Sequence, residues 1–238
     1  MKYLIDTHTH TIASGHAYST MTEMITAAKE KGLKYYGITE HAPSMPGTCH
    51  LFYFQNFKII PREYDGMHLL LGTEANIRDY DGTLDLPQDL LEQLDIVIAS
   101  LHNPCYKAGT KEENTRAYLN VMKNPAVKII AHPDDGRIPV DYEILVPAAK
   151  KAHVILEVNN SSLSPHSFRP NTRENVKTYL TLCKQENVPI ILGSDAHICY
   201  DVANFCYAEE VLEEVDFPDE LIINKNEELI QKFILESK

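Results

Sequence analysis

Histidine and carboxylate side chains gather in short clusters along this 238-residue chain. Asp6, His8, His10 and His16 come first. Glu40 and His41 follow, then Glu74, His102, His132, Asn159 and finally Asp195 with His197. In H-x-H, His8 and His10 fall on one side of an extended segment, because side chains repeat at every second residue. Asp195-x-His197 does the same with one oxygen and one nitrogen. Imidazole combined with carboxylate is a ligand set for Zn²⁺, Mn²⁺ or Fe²⁺. Seven histidines and at least two of the acids, Glu74 and Asp195, exceed what one ion takes. At about three or four protein ligands each, they suffice for two or three ions with a carboxylate shared. Such ions can ionise a water near neutral pH for attack on phosphorus or a carbonyl carbon, and they stabilise the charge that develops.

Groups this far apart in sequence need a scaffold that gathers them. Apolar runs of strand length occur at 3–5, 35–39, 69–72, 96–100, 127–131, 154–158 and 190–193. They do not alternate cleanly with polar residues, as expected of strands covered on both faces. Helical patterns lie between them. Thr20 and Glu23 form a capping box, with Gly32 a natural stop, and 111–122, 142–151 and 172–187 are further helices. Pro147 would kink the second of these or start it. The rhythm of seven strands with intervening helices predicts an α/β fold, a (β/α) barrel, in one domain over 1–238. All strand C-termini of such a barrel open on one face, and the clusters follow those ends. Residues 49–65 break the rhythm and read as a loop or small excursion over one end, its Phe52–Phe57 aromatics capping a core or packing over the site as a lid. The tail reads as helix, short strand at 221–223, then helix.

Composition narrows the function. Lys and Arg total 22 against 34 Asp and Glu, a net charge of −12. This argues against an extended nucleic-acid grip, which depends on cationic side chains. No apolar run is long enough for a membrane helix. Five cysteines without a C-x-x-C pair fit reduced thiols, and the acid and histidines by residue 10 leave no room for a secretory segment, so a cytoplasmic protein is expected. Oligomerisation is possible but nothing indicates it.

The motifs D-T-H-T-H at 6–10, T-E-H at 39–41, G-T-E-A-N at 72–76, S-L-H at 100–102, A-H-P at 131–133, E-V-N-N-S-S at 157–162 and G-S-D-A-H at 193–197 resemble the PHP (polymerase and histidinol phosphatase) superfamily. The similarity is to its stand-alone bacterial phosphatases with three metals. It implies a distorted (β/α)7 TIM-like barrel and a metal-dependent phosphomonoesterase with three divalent ions, zinc favoured, and a bridging hydroxide as nucleophile. His8, His10, Glu74 and Asp195 would hold one ion. Glu74 would bridge to a second, held also by His102 and His132. His16, His41 and His197 would hold the third. Glu74, Asp195 and His10 would form the catalytic heart, acting on a small phosphorylated substrate.

Other readings stay open: a histidinol phosphatase, a phosphodiesterase or exonuclease, a non-catalytic metal-binding module, and an amidohydrolase, whose carboxylated lysine has no counterpart here. Asn159 and Asn160 are candidates to bond a substrate oxygen, or simply turn residues. Arg169 and Arg137 follow strands on the active face and suit phosphate. Asp6 is a candidate to orient a metal ligand, as bound imidazoles require, or an ordinary strand-end acid. Glu40 points away from His41. His68 and His153 precede strands and are structural, His50 has no assigned place, and His166 lies in a loop that could reach the site.

Overall fold

Short apolar runs become strands here because helices cover them from outside and a second apolar cluster fills the space they enclose. The structure, a computed structural model, describes residues 3–236. In chain order, β1 (Ile5–Asp6) leads to α1 (Met21–Lys31), β2 (Tyr35–His41), α2 (Leu51–Gln55), β3 (Glu63–Tyr64) and β4 (Met67–Asn76). Then come α3 (Gln88–Leu91), β5 (Ile96–Ser100), α4 (Lys111–Val121), β6 (Ile129–Ile130), α5 (Tyr142–Ala152) and β7 (Ile155–Asn159). The chain ends with α6 (Thr172–Glu186), β8 (Ile190–Gly193), α7 (Cys206–Glu214) and α8 (Glu227–Ile230). Strand order is β1-β2-β4-β5-β6-β7-β8, every neighbour parallel, with β3 an antiparallel addition to β4. This is the expected (β/α)7 barrel.

The barrel closes without a continuous β8–β1 ladder. At the upper, C-terminal end of the strands, an isolated parallel bridge joins Thr9 to Ala196, and the Asp195 N–H donates to the His8 carbonyl at 2.9 Å. At the lower end Asn224 replaces the missing strand. Its Oδ1 accepts from the Leu192 N–H at 2.7 Å, and its Nδ2 donates to the carbonyls of Ile5 and Leu192. Its own carbonyl takes the Leu4 N–H. A side-chain amide that mimics a peptide thus stitches β8 to β1. The tail is therefore not a strand at 221–223: two 3-10 turns, Asp219–Leu221 and Ile223–Lys225, flank the single bridge of Ile222 to Ile190.

Helix signals read from the sequence mostly hold. Both groups of the Thr20–Glu23 capping box are engaged, and Gly32 ends α1 with φ 72°. An equivalent box at Thr110 and Glu113 starts α4. Helix α5 begins at the Asp141 cap and runs through Pro147, so the proline does not start it. The 49–65 segment differs from expectation. It holds α2, a 3-10 turn at Phe57–Ile59 and β3. Tyr53 reaches Glu40 near the upper end of β2 while β3 pairs with the start of β4, so the segment runs down the flank instead of covering one end. Phe54 and Phe57 enter the core, whereas Phe52 stays exposed.

Two apolar clusters result. The larger lies between strands and helices. The smaller fills the lower barrel with Ile5, Leu70, Ile96, Ile98, Ile129, Ile155 and Ile191, and Ile223, Ile230 and Ile234 from the tail plug it.

Candidate metal centre

Above that isoleucine layer the inward positions turn polar. On β4 the alternation that buries Leu70 brings Glu74 inward four residues later; on β5 it leads from Ile98 to Ser100 and on to His102. His8 and His10 follow β1, His41 ends β2, His132 follows β6, and Asp195 and His197 follow β8. The structure brings all seven expected histidines together. Successive ring centroids are 4.1 to 5.9 Å apart among His8, His10, His16, His41, His102, His132 and His197.

Four donor atoms define the deepest point. His8 Nε2 lies 3.4 Å from Glu74 Oε2 and 3.6 Å from Asp195 Oδ1; His10 Nε2 lies 3.5 and 3.3 Å from the same two oxygens. The edge of a tetrahedron with arms of about 2.1 Å is about 3.4 Å, so these spacings match one ion with nitrogen and oxygen ligands. His8 Nε2 and His10 Nε2 are buried with no hydrogen-bond partner. Buried polar atoms are almost always satisfied, so two orphaned nitrogens facing the same two carboxylate oxygens are the arrangement a cation would complete. The other Glu74 oxygen, Oε1, lies 2.8 Å from His132 Nε2 and 3.1 Å from His102 Nε2. Glu74 is thus placed between two groups of imidazoles. His16 Nε2 and His41 Nε2 approach to 3.3 Å, with the His197 ring 4.8 Å from that of His16. His41 also turns Nδ1 to within 2.7 Å of Glu74 Oε2, so it sits at the seam between the groups.

The partners of the far ring nitrogens fix which nitrogen is free. His8 Nδ1 meets the Glu157 carboxylate at 2.7 Å. His102 Nδ1 meets Asn76 Oδ1 at 2.8 Å, and Asn76 is oriented by its Nδ2 donating to Asp85. His10 Nδ1 meets Ser14 Oγ, whose hydroxyl donates to Glu40 at 2.6 Å. His197 Nδ1 meets the Asp195 carbonyl at 2.9 Å. Each acceptor demands a proton on Nδ1, leaving the Nε2 lone pair directed into the site. That is the ligating tautomer.

Electrostatics fit the same picture for three of the rings, while the carboxylates around His8 draw it toward its charged form. Burial drives the pKa of His10 well below its ordinary value, helped by the neighbouring His41 and His197. Burial likewise lowers His102 and brings His16 to about 4, so these rings are neutral and able to coordinate. For His8, burial opposes the charged form, but Glu157, Glu74 and Asp195 outweigh it and raise the pKa well above normal. Burial also opposes the Glu74 and Asp195 carboxylates, yet the surrounding imidazoles hold both well below the usual range. His132 and Asp195 adopt left-handed backbone, φ 30° and 54°. Such strain costs roughly 1–3 kcal/mol per residue and concentrates at functional sites.

Several residues that sequence reasoning passed over hold the site in shape. Glu157, buried on β7, binds His8 with one oxygen and takes the His132 N–H at 3.0 Å with the other. A carboxylate amid V-I-L-E-V was its signal. A Cβ at Gly193 would fall 1.8 Å from Glu157 Oε1, so glycine makes room for it. Ser14 and Asn76 carried no signal in their spacing. Glu40 does point away from the His41 side chain, but into the hydrogen bonds that hold Thr11, Ser14 and Tyr53. Asp6 does not orient an imidazole. It binds the Ser194 hydroxyl at 2.6 Å and the N–H groups of Ser194, Ala203 and His8, fixing the backbone around Asp195, and burial pushes its carboxyl up to about 6.

The substrate-binding candidates divide. Asn159 donates to Glu157 and Asp195 and accepts from the Ser162 N–H. Asn160 Oδ1 accepts from the N–H groups of Tyr207 and Ala208. Both amides are consumed inside the fold, and neither lines the cavity over the histidines. Arg169 and Arg137 do line that cavity, about 670 Å³ in volume, as does His166. Arg169 donates to Ser162 Oγ at 2.6 Å and lies 3.8 Å from Asp195 Oδ2. Arg137 is held by the Asp135 carboxylate. The other histidines are structural: His50 caps α2, His68 pairs with Glu63, and His153 ends α5 with φ 54°. Among the described residues no helix is long and apolar enough to cross a membrane.

Comparison with known proteins agrees with this geometry. A protein of Clostridium novyi named a probable phosphatase is 49% identical over 98% of this chain and 95% of its own length. One from Acetivibrio thermocellus, also named a probable phosphatase, is 45% identical over 100% of this chain and 98% of its own. The crystal structure of histidinol phosphate phosphatase from Lactococcus lactis, complexed with zinc, L-histidinol and phosphate, shares the fold with a TM-score of 0.64 at 21% identity, covering 91% of this chain and 95% of that one. The PHP domain matches residues 6–163, from Asp6 on β1 to just past β7. The chain belongs to the PHP domain family.

Proposed function

We propose that this protein is a metal-dependent phosphatase that hydrolyses small phosphomonoesters with three divalent ions, zinc favoured. The reading is carried by one observation: four imidazoles are each held in the tautomer that presents Nε2 to a space shared with Glu74 and Asp195. His8, His10, Glu74 and Asp195 would hold one ion, Glu74, His102 and His132 a second, and His16, His41 and His197 the third. The probable phosphatases that match nearly the whole chain support the reaction class, and the Lactococcus lactis protein shows zinc and phosphate bound on this fold.

Bound ions would supply an ionised water and neutralise charge on the phosphoryl group. The chain's own residues do the rest. Glu157, Ser14 and Asn76 keep His8, His10 and His102 aimed, so little reorganisation is needed when substrate arrives. Glu74 and Asp195 stay ionised, because the imidazoles around them hold their pKa values down. Arg169, mostly buried beside Asp195 and lining the cavity, would be the guanidinium that meets a phosphate oxygen, whereas Arg137 is engaged by Asp135. We read 1–238 as one catalytic domain in the cytoplasm.

The test is turnover by the metal-loaded protein on a panel of phosphomonoesters, phosphodiesters and histidinol phosphate. Preference for monoesters is expected. Cleavage of diesters alone, or no turnover of any ester, would contradict the reading.

A further inference from the structure

The cavity over the histidines is far larger than a phosphate needs. At about 670 Å³ it falls within the roughly 300–1,000 Å³ typical of sites for sizeable organic ligands. The space beyond the phosphate is available to the leaving group, so the lining bears on what that group is. Met45, Leu101 and Pro104 contribute apolar surface from the segments after β2 and β5; Arg137, Phe168 and Arg169 come from those after β6 and β7.

Charge in the lining is already committed. Among the described residues, the only carboxylates there are Asp135 and Asp195. Asp135 is held by Arg137 at 2.5 to 3.1 Å, and Asp195 belongs to the histidine cluster. A substrate ammonium would find no uncommitted carboxylate and would face Arg169. Such an unpaired charge is costly away from water. Arg137, matched by Asp135, offers little to a second phosphate.

Phe168 stands out against this background. The residue is 74% exposed although it borders the cavity. The Arg137 guanidinium carbon lies 4.8 Å from the ring centroid and that of Arg169 5.7 Å. Arg137 is itself fixed by Asp135, so the ring is positioned by cations while much of its surface stays open. A fixed, open aromatic ring at the mouth of a half-apolar cavity is a stacking platform.

We propose that the substrate is a phosphomonoester whose leaving group is planar, aromatic and free of positive charge, and that Phe168 is the specificity residue on which it stacks. This rests on the phosphatase reading above, and it separates this chain from an enzyme for an amino-alcohol phosphate such as L-histidinol phosphate.

The experiment measures kcat/KM of the metal-loaded full chain on 2-naphthylmethyl phosphate, cyclohexylmethyl phosphate and L-histidinol phosphate. The first two leave as primary alkoxides of similar basicity, so the ratio reports recognition. We expect about a tenfold preference for the naphthyl ester. Phe168→Leu is expected to bring that ratio to about two or below, and Phe168→Tyr to keep it. Calorimetry with 2-naphthylmethylphosphonate, which is not hydrolysed, should show a Kd weakened about tenfold by Phe168→Leu. Equal rates on the naphthyl and cyclohexyl esters, an unchanged ratio in Phe168→Leu, or L-histidinol phosphate as the best substrate would overturn the proposal and leave the phosphatase reading standing. No turnover of any of the three would overturn both.

Discussion

On β5, Ile96 and Ile98 fill the lower barrel, while Ser100 and His102 continue the same inward line into the histidine cluster. On β7, Ile155 lies below and Glu157 and Asn159 above. Each strand thus carries two interiors. The lower one is dry, apolar and plugged by Ile223, Ile230 and Ile234 from the tail. The upper one holds orphaned nitrogens and left-handed backbone at His132 and Asp195. The first stabilises the fold by burying apolar surface. The second concentrates features that lower stability, and they persist because Glu157, Asp6, Glu40 and Asn76 hydrogen-bond around them. The barrel separates the two tasks by height along a strand, not by domain.

Substitutions can break that division. The largest effect is expected above: Asp195→Ala or His10→Ala should abolish turnover while circular dichroism stays native, since neither side chain supports the isoleucine layer. Full activity despite complete metal loss in either variant would sink the assignment. Below, Ile98→Ala should cost about 2–5 kcal/mol in denaturant unfolding, the usual penalty for a buried cavity, with metal content unchanged. A loss of metal with no loss of stability would erase the proposed boundary. Glu157→Gln should lower metal affinity or kcat about 10- to 100-fold, because the carboxylate that fixes His8 and the His132 N–H is gone. An unaffected titration with metal would show that Glu157 merely fills space. The smallest effect belongs to the seam. Asn224→Ala should cost about 1–3 kcal/mol by leaving the Leu192 N–H and the Ile5 carbonyl unpartnered, with kcat preserved.

How much of this was legible in the sequence follows the range of the interactions. The strands and the Thr20–Glu23 cap are local signals, and they fell where apolar runs and spacing put them. The clusters after strand ends pointed to the rim, because a parallel barrel gathers strand ends whatever their sequence separation. Glu157 and Ser14 were missed because their roles depend on partners 149 and 26 residues away. Asn159 and Asn160 looked available only while Glu157, Asp195 and the start of α7 could not be placed beside them. The tail misled for a related reason: Asn224 satisfies the barrel edge with a side chain, which strand propensity does not register.

The central claim is that the upper interior is a metal centre that performs the chemistry. Its most direct test is metal content per chain, by elemental analysis, followed alongside phosphomonoester turnover while chelator removes the ions and added zinc restores them. The account predicts about three ions per chain in the active protein, with activity falling and returning in step with them. A fully metal-free chain that still hydrolyses phosphomonoesters would contradict it.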